Sequence, residues 1–433
     1  WKELSRRPLL KRFIHSELRQ TFSGDIPYFS GPCNANYVTD MFGSKIGLSG
    51  LQCEPQYIQV RKKIESLSPT QIKNQKYLIA ESLGIQPQCQ SRESLSEADW
   101  SDDMAFCLSV GDLILERCII LDCTAWMFQP FNPVPDAKGN RYNRIAPITE
   151  GLYDGASGIA IFLAALSKAS NREEYLQLAA KLARESCRRA LNSTEMAPSG
   201  FVGAASIIYS LRILQVLDCL DDEPLVEEAC ERLLVHSRRS LDSSADKDLL
   251  TGLAGSAVAI TSANSIKRTK NTEKFLRDAR RELFKIGSRI TETGAPLEFL
   301  PVIRGFSHGL SGLAFAIYHF ADGPDKSEFI ALSEQLVLIE KKFVQSSGWT
   351  DSHSYGGKPL AAWCHGAPGI AYAISNMPDL LTNGLVLDYL EEAVSVSERD
   401  GVYDSKCLCH GSAGNYEMMK SILASRNSSA STE

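Results

Sequence analysis

The 433-residue chain has no apolar run of 18 residues: charges interrupt every hydrophobic stretch well before that length, and no membrane-crossing helix is expected. Residues 1–11 lack the apolar segment of a secretory signal, and the sequence does not begin with methionine, so it reads as a fragment or a processed chain. Dense basic runs are also missing. With a formal net charge of −6, this excludes nucleic acid as an expected partner. The twelve cysteines show no disulfide framework. Cys107, Cys118, Cys123, Cys187, Cys219 and Cys230 stand singly in apolar helical contexts, the usage of free thiols in a reducing cytoplasm.

What is present is a repeat. A Gly-x-x-Gly/Ser element occurs at Gly155, Gly203, Gly252, Gly309, Gly366 and Gly411, at spacings of 48, 49, 57, 57 and 45 residues. That period fits two helices and two connections. The first five copies run into apolar, small-residue segments (IAIFLAAL, IIYSL, SAVAI, LAFAIYHF, IAYAIS) that read as buried helices. Between them lie charged amphipathic helices, clearest at 173–191 and 224–241. Nearly all-apolar helices cannot face water, so the amphipathic ones are expected to cover them as an outer layer. Glycine at each inner-helix mouth is expected to allow unusual φ and close backbone approach. The six mouths would converge on one end of a ring.

Residues 1–95 lack the repeat. Ser23-Gly-Asp-Ile-Pro-Tyr-Phe29 reads as a loop or short strand, and Ser68-Pro-Thr-Gln71 as a helix start. A boundary is placed in the polar, acidic stretch 91–103. The segment 104–123 reads as a long apolar helix, and 132–149, rich in Pro, Gly and Asn, as a loop.

Chemistry concentrates at the repeat mouths. Trp363-Cys364-His365-Gly366 and Cys409-His410-Gly411 place a cysteine two residues before the helix-opening glycine in successive copies. Two thiolates and an imidazole would make a Cys₂His zinc site with one open position, the pattern of catalytic zinc. His365 is a spare imidazole there, and Cys407 reads as a core or supporting thiol. His308, in Ser307-His308-Gly309, shares the register and is expected to act as general acid/base or to cap its helix. Asp154 holds the matching place in the first copy, to orient an imidazole or cap the helix. His15, His236, His319 and His353 fall out of register and are expected in surface or core roles.

GLYDGASGIAIFLAAL, GFSHGLSG, WCHGAPGI and LCHGSAGN resemble the repeat signatures of the lanthionine cyclase (LanC-like) family. SGDIPYF resembles the tail of the dehydratase region of class II lanthipeptide synthetases (LanM-type), where dehydratase and cyclase are fused. The resemblance spans residues 1 to about 420. It implies an all-α fold, an α/α toroid, with a dehydratase-tail segment at 1–95 and the zinc cyclase domain at 96–433. It also implies Zn²⁺ ligands Cys364, Cys409 and His410, an acid/base at His308 and an active-site acid at Asp154.

By the same resemblance the substrate is a dehydrated precursor peptide. A cysteine thiolate adds to dehydroalanine or dehydrobutyrine to form a thioether ring, in the cytoplasm. The family's dehydratase is expected upstream; association with a membrane transporter is not readable. Two departures stand out. Some stand-alone cyclases carry an Arg shortly before the Trp-Cys pair, where this chain has Lys358-Pro-Leu-Ala-Ala362. The family closes its ring with a seventh inner helix, whereas 19 residues follow Gly414 here, so the ring is expected to be incomplete at the C-terminus.

Rival readings are a catalytically weak zinc-dependent peptide or thiol (glutathione-like) binding module, and a purely structural zinc with His365 as fourth ligand. An α/α-toroid glycosidase or terpene-cyclase-like enzyme would want paired carboxylates or Asp-rich motifs, and the mouths offer one Asp among several Cys and His.

Overall fold

In a computed structural model, residues 11–32, 35–48, 56–82, 103–121, 124–129, 144–242, 245–294, 305–347, 349, 361–402, 407–409 and 411–430 are described. The chain forms two compact units, Trp1–Gln88 and Cys89–Glu433.

The first unit holds α1 (Lys11–Phe22), an antiparallel sheet β1 (Phe29–Ser30), β2 (Tyr37–Asp40) and β3 (Lys45–Gly47), then α2 (Gln56–Glu65) and α3 (Pro69–Ser82). Asp40 organises it. The carboxylate accepts from Ser16 Oγ at 2.5 Å and from the Phe42 and Ser44 amides, tying α1 to the β2–β3 turn. The Ser16 hydrogen bond, foremost, holds its pKa below the usual carboxylate range. Ser68 and Gln71 make the reciprocal bonds of a capping box at the head of α3, as the sequence indicates.

The second unit begins with α4 (Asp103–Arg117) and a three-stranded antiparallel sheet, β4 (Ile119–Leu121), β5 (Thr124–Gln129) and β6 (Arg144–Pro147). The expectation of one helix over 104–123 is therefore corrected. The helix ends at Arg117, after which the β-branched Ile119 and Ile120 lead into Leu121, and the three pair in register with Thr124–Trp126. The expected loop over 132–149 contains β6, whose Arg144 to Pro147 pair with β5; residues 130–143 lie outside the described set.

Among the described residues, six inner helices and the five outer helices between them follow in the predicted alternation. The inner helices are α5 (Ala156–Ser170), α7 (Ala204–Val216), α9 (Leu253–Ile266), α11 (Leu310–Tyr318), α13 (Ala367–Ser375) and α15 (Ser412–Ala430). The outer ones between them are α6 (Glu173–Asn192), α8 (Glu223–Ser237), α10 (Lys270–Thr293), α12 (Lys326–Ser347) and α14 (Gly384–Asp400). Each inner helix packs on the next, α5 through α15, and α4, α6, α8, α10, α12 and α14 form a parallel outer series. On α11 every residue from Leu310 to Ile317 is buried, whereas α10 buries one stripe, including Phe275, Ala279, Leu283, Ile286 and Ile290. The row curves so that residues of α5 and α15, with the loops before them, line one common cavity, and the ring stays incomplete there as expected. Thus the second unit is an α/α toroid with a seam.

The glycines serve close approach more than unusual φ. The first glycine of the element is extended in four copies, with φ −129, −131, −108 and −104° at Gly155, Gly203, Gly252 and Gly309; only Gly366 is left-handed, at 118°. The last glycine carries the constraint. A Cβ on Gly158, Gly255, Gly312, Gly369 or Gly414 would collide with the carbonyl oxygen six residues earlier, where the mouth loop folds over its own helix.

Candidate active site at the mouth of the ring

Each mouth loop is hydrogen-bonded to the next through the residue two before its helix-opening glycine. Leu152 and Tyr153 amides donate to Phe201 O, Leu249 and Leu250 amides to Ser307 O, the Ser307 amide to Cys364 O, and the Cys364 amide to Cys409 O. Ser199 Oγ bridges to Leu250 O at 2.6 Å, and Ser307 Oγ to Cys364 O at 2.8 Å. This belt places the predicted residues. Below it Phe201, Phe306, Trp363, Phe315 and Tyr372 pack ring against ring with centroid separations of 5.2 to 5.8 Å and fill the interior.

Cys364 and Cys409 are brought together. Both are buried, 5% and 9% exposed, and form a small cluster with Ala362 and Trp363. Their thiols are hydrogen-bonded, which together with burial pushes the Cys364 thiol far above its ordinary pKa. The Tyr153 hydroxyl also pairs with Cys409, and its pKa is raised, by burial first and by that thiol second. Two juxtaposed, buried thiols on neighbouring loops are the donor chemistry of a soft divalent cation such as Zn²⁺. Among the described residues no group of three or more His, Cys, Asp or Glu is arranged to hold a metal. The predicted third ligand, His410, lies outside the described residues.

His308 stands on the loop before Cys364's, its ring stacked on His365 at 5.5 Å and 27°. Its Nδ1 meets Asp248 Oδ2 at 2.7 Å. That hydrogen bond, opposed by burial and reinforced by the Asp248 charge, raises the histidine's pKa. Asp248 was not visible as a partner in the sequence, because it stands four residues before Gly252 rather than in the register of the other candidates. Its Oδ1 accepts from the Thr251 and Gly252 amides at 2.7 and 3.0 Å, so the loop holds the carboxylate rigidly while Oδ2 serves the imidazole.

Asp154 accepts from Thr149 Oγ1 at 2.8 Å and faces the seam cavity together with Tyr153, Cys407 and Cys409. The carboxylate beside His308 is Asp248. Cys407 is exposed and lines that cavity beside Cys409, which removes the core alternative of its reading as a core or supporting thiol and leaves the supporting one. The isolated cysteines behave as expected of buried thiols, burial pushing Cys118 and Cys219 to about 11 and Cys187 and Cys230 to about 12. Cys107 is half-buried, and Cys123 lies outside the described residues. Of the histidines out of register, His15 and His319 are exposed, His236 is buried, and His353 lies outside the described residues.

Fold and site together define an α/α ring carrying a thiol pair and an acid-held imidazole at one mouth. The profile of the family described as lanthionine synthetase C-like protein matches residues 146–432. The chain belongs to that family. It is 30% identical over 123 residues to the lacticin 481/lactococcin biosynthesis protein LcnDR2 of Lactococcus lactis subsp. lactis, a match covering 26% of this chain and 13% of that protein's length. Nisin cyclase is a structural neighbour at 18% identity and a TM-score of 0.48, over 62% of this chain and 75% of that one. No helix among the described residues is long and apolar enough to cross a membrane.

Proposed function

We propose that this chain closes thioether rings in a dehydrated precursor peptide, adding a cysteine thiol to dehydroalanine or dehydrobutyrine. The observation that carries the reading is the buried Cys364–Cys409 thiol pair set one loop from an imidazole held by Asp248. Membership in the lanthionine synthetase C-like family and the similarity to a lacticin 481 biosynthesis protein support it. A zinc ion held by Cys364, Cys409 and His410 would acidify a peptide thiol enough to supply thiolate at neutral pH.

The residues of the chain do the rest. The peptide thiolate forms a C–S bond to the β-carbon, and the displaced π electrons pass to an enolate. His308, whose pKa Asp248 raises, donates in its protonated form the N–H proton at Nε2 to the α-carbon. Asp248 fixes the ring through Nδ1 and stabilises the imidazolium before transfer. The proton lost by the thiol returns to His308 through solvent, so the addition is balanced without a redox step.

The test is incubation of zinc-loaded protein with a synthetic peptide carrying one dehydroalanine and one cysteine. The expected outcome is an unchanged mass together with loss of the free thiol. A thiol that stays titratable in the presence of stoichiometric zinc would overturn the reading.

A further inference from the structure

The outer helix α12 buries a stripe that includes Phe329, Leu332, Leu336, Val337 and Val344, and Glu340 falls on that stripe, fully buried, where the helical period calls for an apolar side chain. A carboxylate is costly to bury unless hydrogen bonds compensate it. Here they come from the loop of His308. Glu340 Oε1 accepts from the Gly305 amide at 2.9 Å and the Ser311 amide at 3.4 Å, and Oε2 accepts from the Ser311 hydroxyl. Gly305 stands three residues before His308 and Ser311 three after it. One carboxylate from the outer layer therefore grips both ends of the turn that carries the imidazole. Between the grips the Gly309 amide closes the turn on Gly305 O at 3.1 Å. Gly305 has a φ of 105°, and a Cβ there would lie 3.0 Å from Cys364 O, so the turn lies tight against the thiol loop. Ser311 is the second residue of α11, and amides of a helix's first turn lack an acceptor within the helix. At the same place in the first copy, Ser157 donates instead to Glu150 O of its own loop.

Resting on the cyclase reading, we infer that Glu340 is a positioning residue for His308: from the outer layer it fixes the turn so that Nδ1 meets Asp248. The 2.7 Å bond between them needs both loops held. The Thr251 and Gly252 amides hold the Asp248 carboxylate to its own loop. Glu340 does the equivalent for the turn of His308, and it acts through backbone without touching substrate. A displacement of about 1 Å at a reacting group can cost about a hundredfold in rate. Reach and charge are separable in this device. Glutamine keeps the reach: its Oε1 accepts from both amides, and its Nε2 donates to the Ser311 hydroxyl. Aspartate keeps the charge but withdraws the carboxylate by one bond, about 1.5 Å, too far to serve both ends of the turn.

The experiment compares Glu340→Asp and Glu340→Gln with the unmodified zinc-loaded chain. Cyclisation is measured on a synthetic peptide with one dehydroalanine and one cysteine. Without peptide, the downfield proton resonance of the His308 Nδ1–H is followed, assigned by its loss in His308→Asn. Glu340→Asp is expected to lower kcat about ten- to a hundredfold with KM within about twofold, and to move the resonance upfield or broaden it away. Glu340→Gln should restore kcat to within about threefold and keep the resonance. A lower Tm in both variants with kcat and resonance unmoved would make Glu340 a fold residue only and overturn the proposal. A glutamine variant as impaired as the aspartate one assigns the effect to charge and overturns it too. If the aspartate variant does not fold, Ser311→Ala, which removes one grip, decides: kcat about three- to tenfold down with a broadened resonance sustains the proposal, and values equal to the unmodified chain overturn it. If the unmodified chain forms no ring, the cyclase reading fails alone and the resonance is the judge: moved by Glu340→Asp it sustains the positioning role, unmoved it overturns it.

Discussion

Replacing Asp248 with asparagine removes one negative charge from His308 while preserving the loop. The amide oxygen can still accept from the Thr251 and Gly252 backbone, as Oδ1 does now. At the other atom an acceptor becomes a donor, and the 2.7 Å bond to His308 Nδ1 loses its charge assistance. A hydrogen bond to a charged group contributes about 1.5–3 kcal/mol. The His308 side chain is 26% and the Asp248 side chain 11% exposed, so solvent screens the pair only partly. If that energy is felt in proton donation, kcat/KM falls by roughly ten- to a hundredfold. The sign of the pH effect follows from the direction of the shift. Asp248 raises the His308 pKa, so the variant's alkaline limb must move to lower pH. The raised pKa also contributes stability that is complete below the unfolded histidine's value of about 6.5 and is lost as pH rises through the folded value. The variant should therefore be most destabilised in acid and least in alkali. The assay is cyclisation rate by mass spectrometry from pH 5.5 to 9, with zinc content measured in parallel. A reduced rate with an unmoved alkaline limb would refute proton donation by His308.

Cys364→Ala and Cys409→Ala should each lower bound zinc from about one per chain to roughly a tenth of that, measured by elemental analysis, because a three-ligand site tolerates no loss. His308→Asn should keep the zinc and lose about 10²–10⁴-fold in cyclisation rate; loss of the metal instead would make His308 a ligand. Gly255→Ala drives a Cβ into the Leu249 carbonyl of the loop that carries Asp248 and should cost about 1–3 kcal/mol in thermal or urea unfolding. His236 is buried, and burial first, then Arg239 and Arg232, hold its pKa below 6.5. Its neutral form is the folded one, so stability should decline as pH falls below about 6.5. His236→Gln should flatten that decline, and an unaltered slope of Tm against pH would count against it.

The alternation of apolar and amphipathic helices was legible because burial dictates composition. A segment such as Leu310–Tyr318, buried along eight consecutive residues, has no position for a charge. The cysteines were legible because they share a register with the glycines. What escaped was anything set by loop geometry. Asp248 reaches His308 across 60 residues of sequence, from a position out of register, and by spacing alone it reads as a cap of the α9 mouth. The strand β4 escaped because the apolar character of 104–115 resumes after Arg117 in Ile119-Ile-Leu121, and so short an apolar run does not separate helix from strand by periodicity. The expectation of unusual φ at the glycines came from their residue type; the structure assigns most of them to close packing instead.

The belt of loop-to-loop hydrogen bonds explains why these chemical groups occupy adjacent copies. His308 follows Ser307, whose amide and hydroxyl both donate to the Cys364 carbonyl, and the Cys364 amide donates to the Cys409 carbonyl. On its other side Ser307 accepts from Leu249 and Leu250, the two residues after Asp248. Carboxylate, imidazole and both thiols therefore hang from one continuous run of short backbone links, each anchored by a helix whose entry glycine leaves no slack. A shift of any one mouth loop must displace its neighbour, because a buried amide left without its acceptor costs about 1–3 kcal/mol. Catalytic groups need placement to within fractions of an ångström, and rigid elements supply it better than free loops. In this ring the loops themselves are made rigid by bonding to one another. Tyr153 and Cys409, at the two ends of that run, both line the cavity between the first and last inner helices.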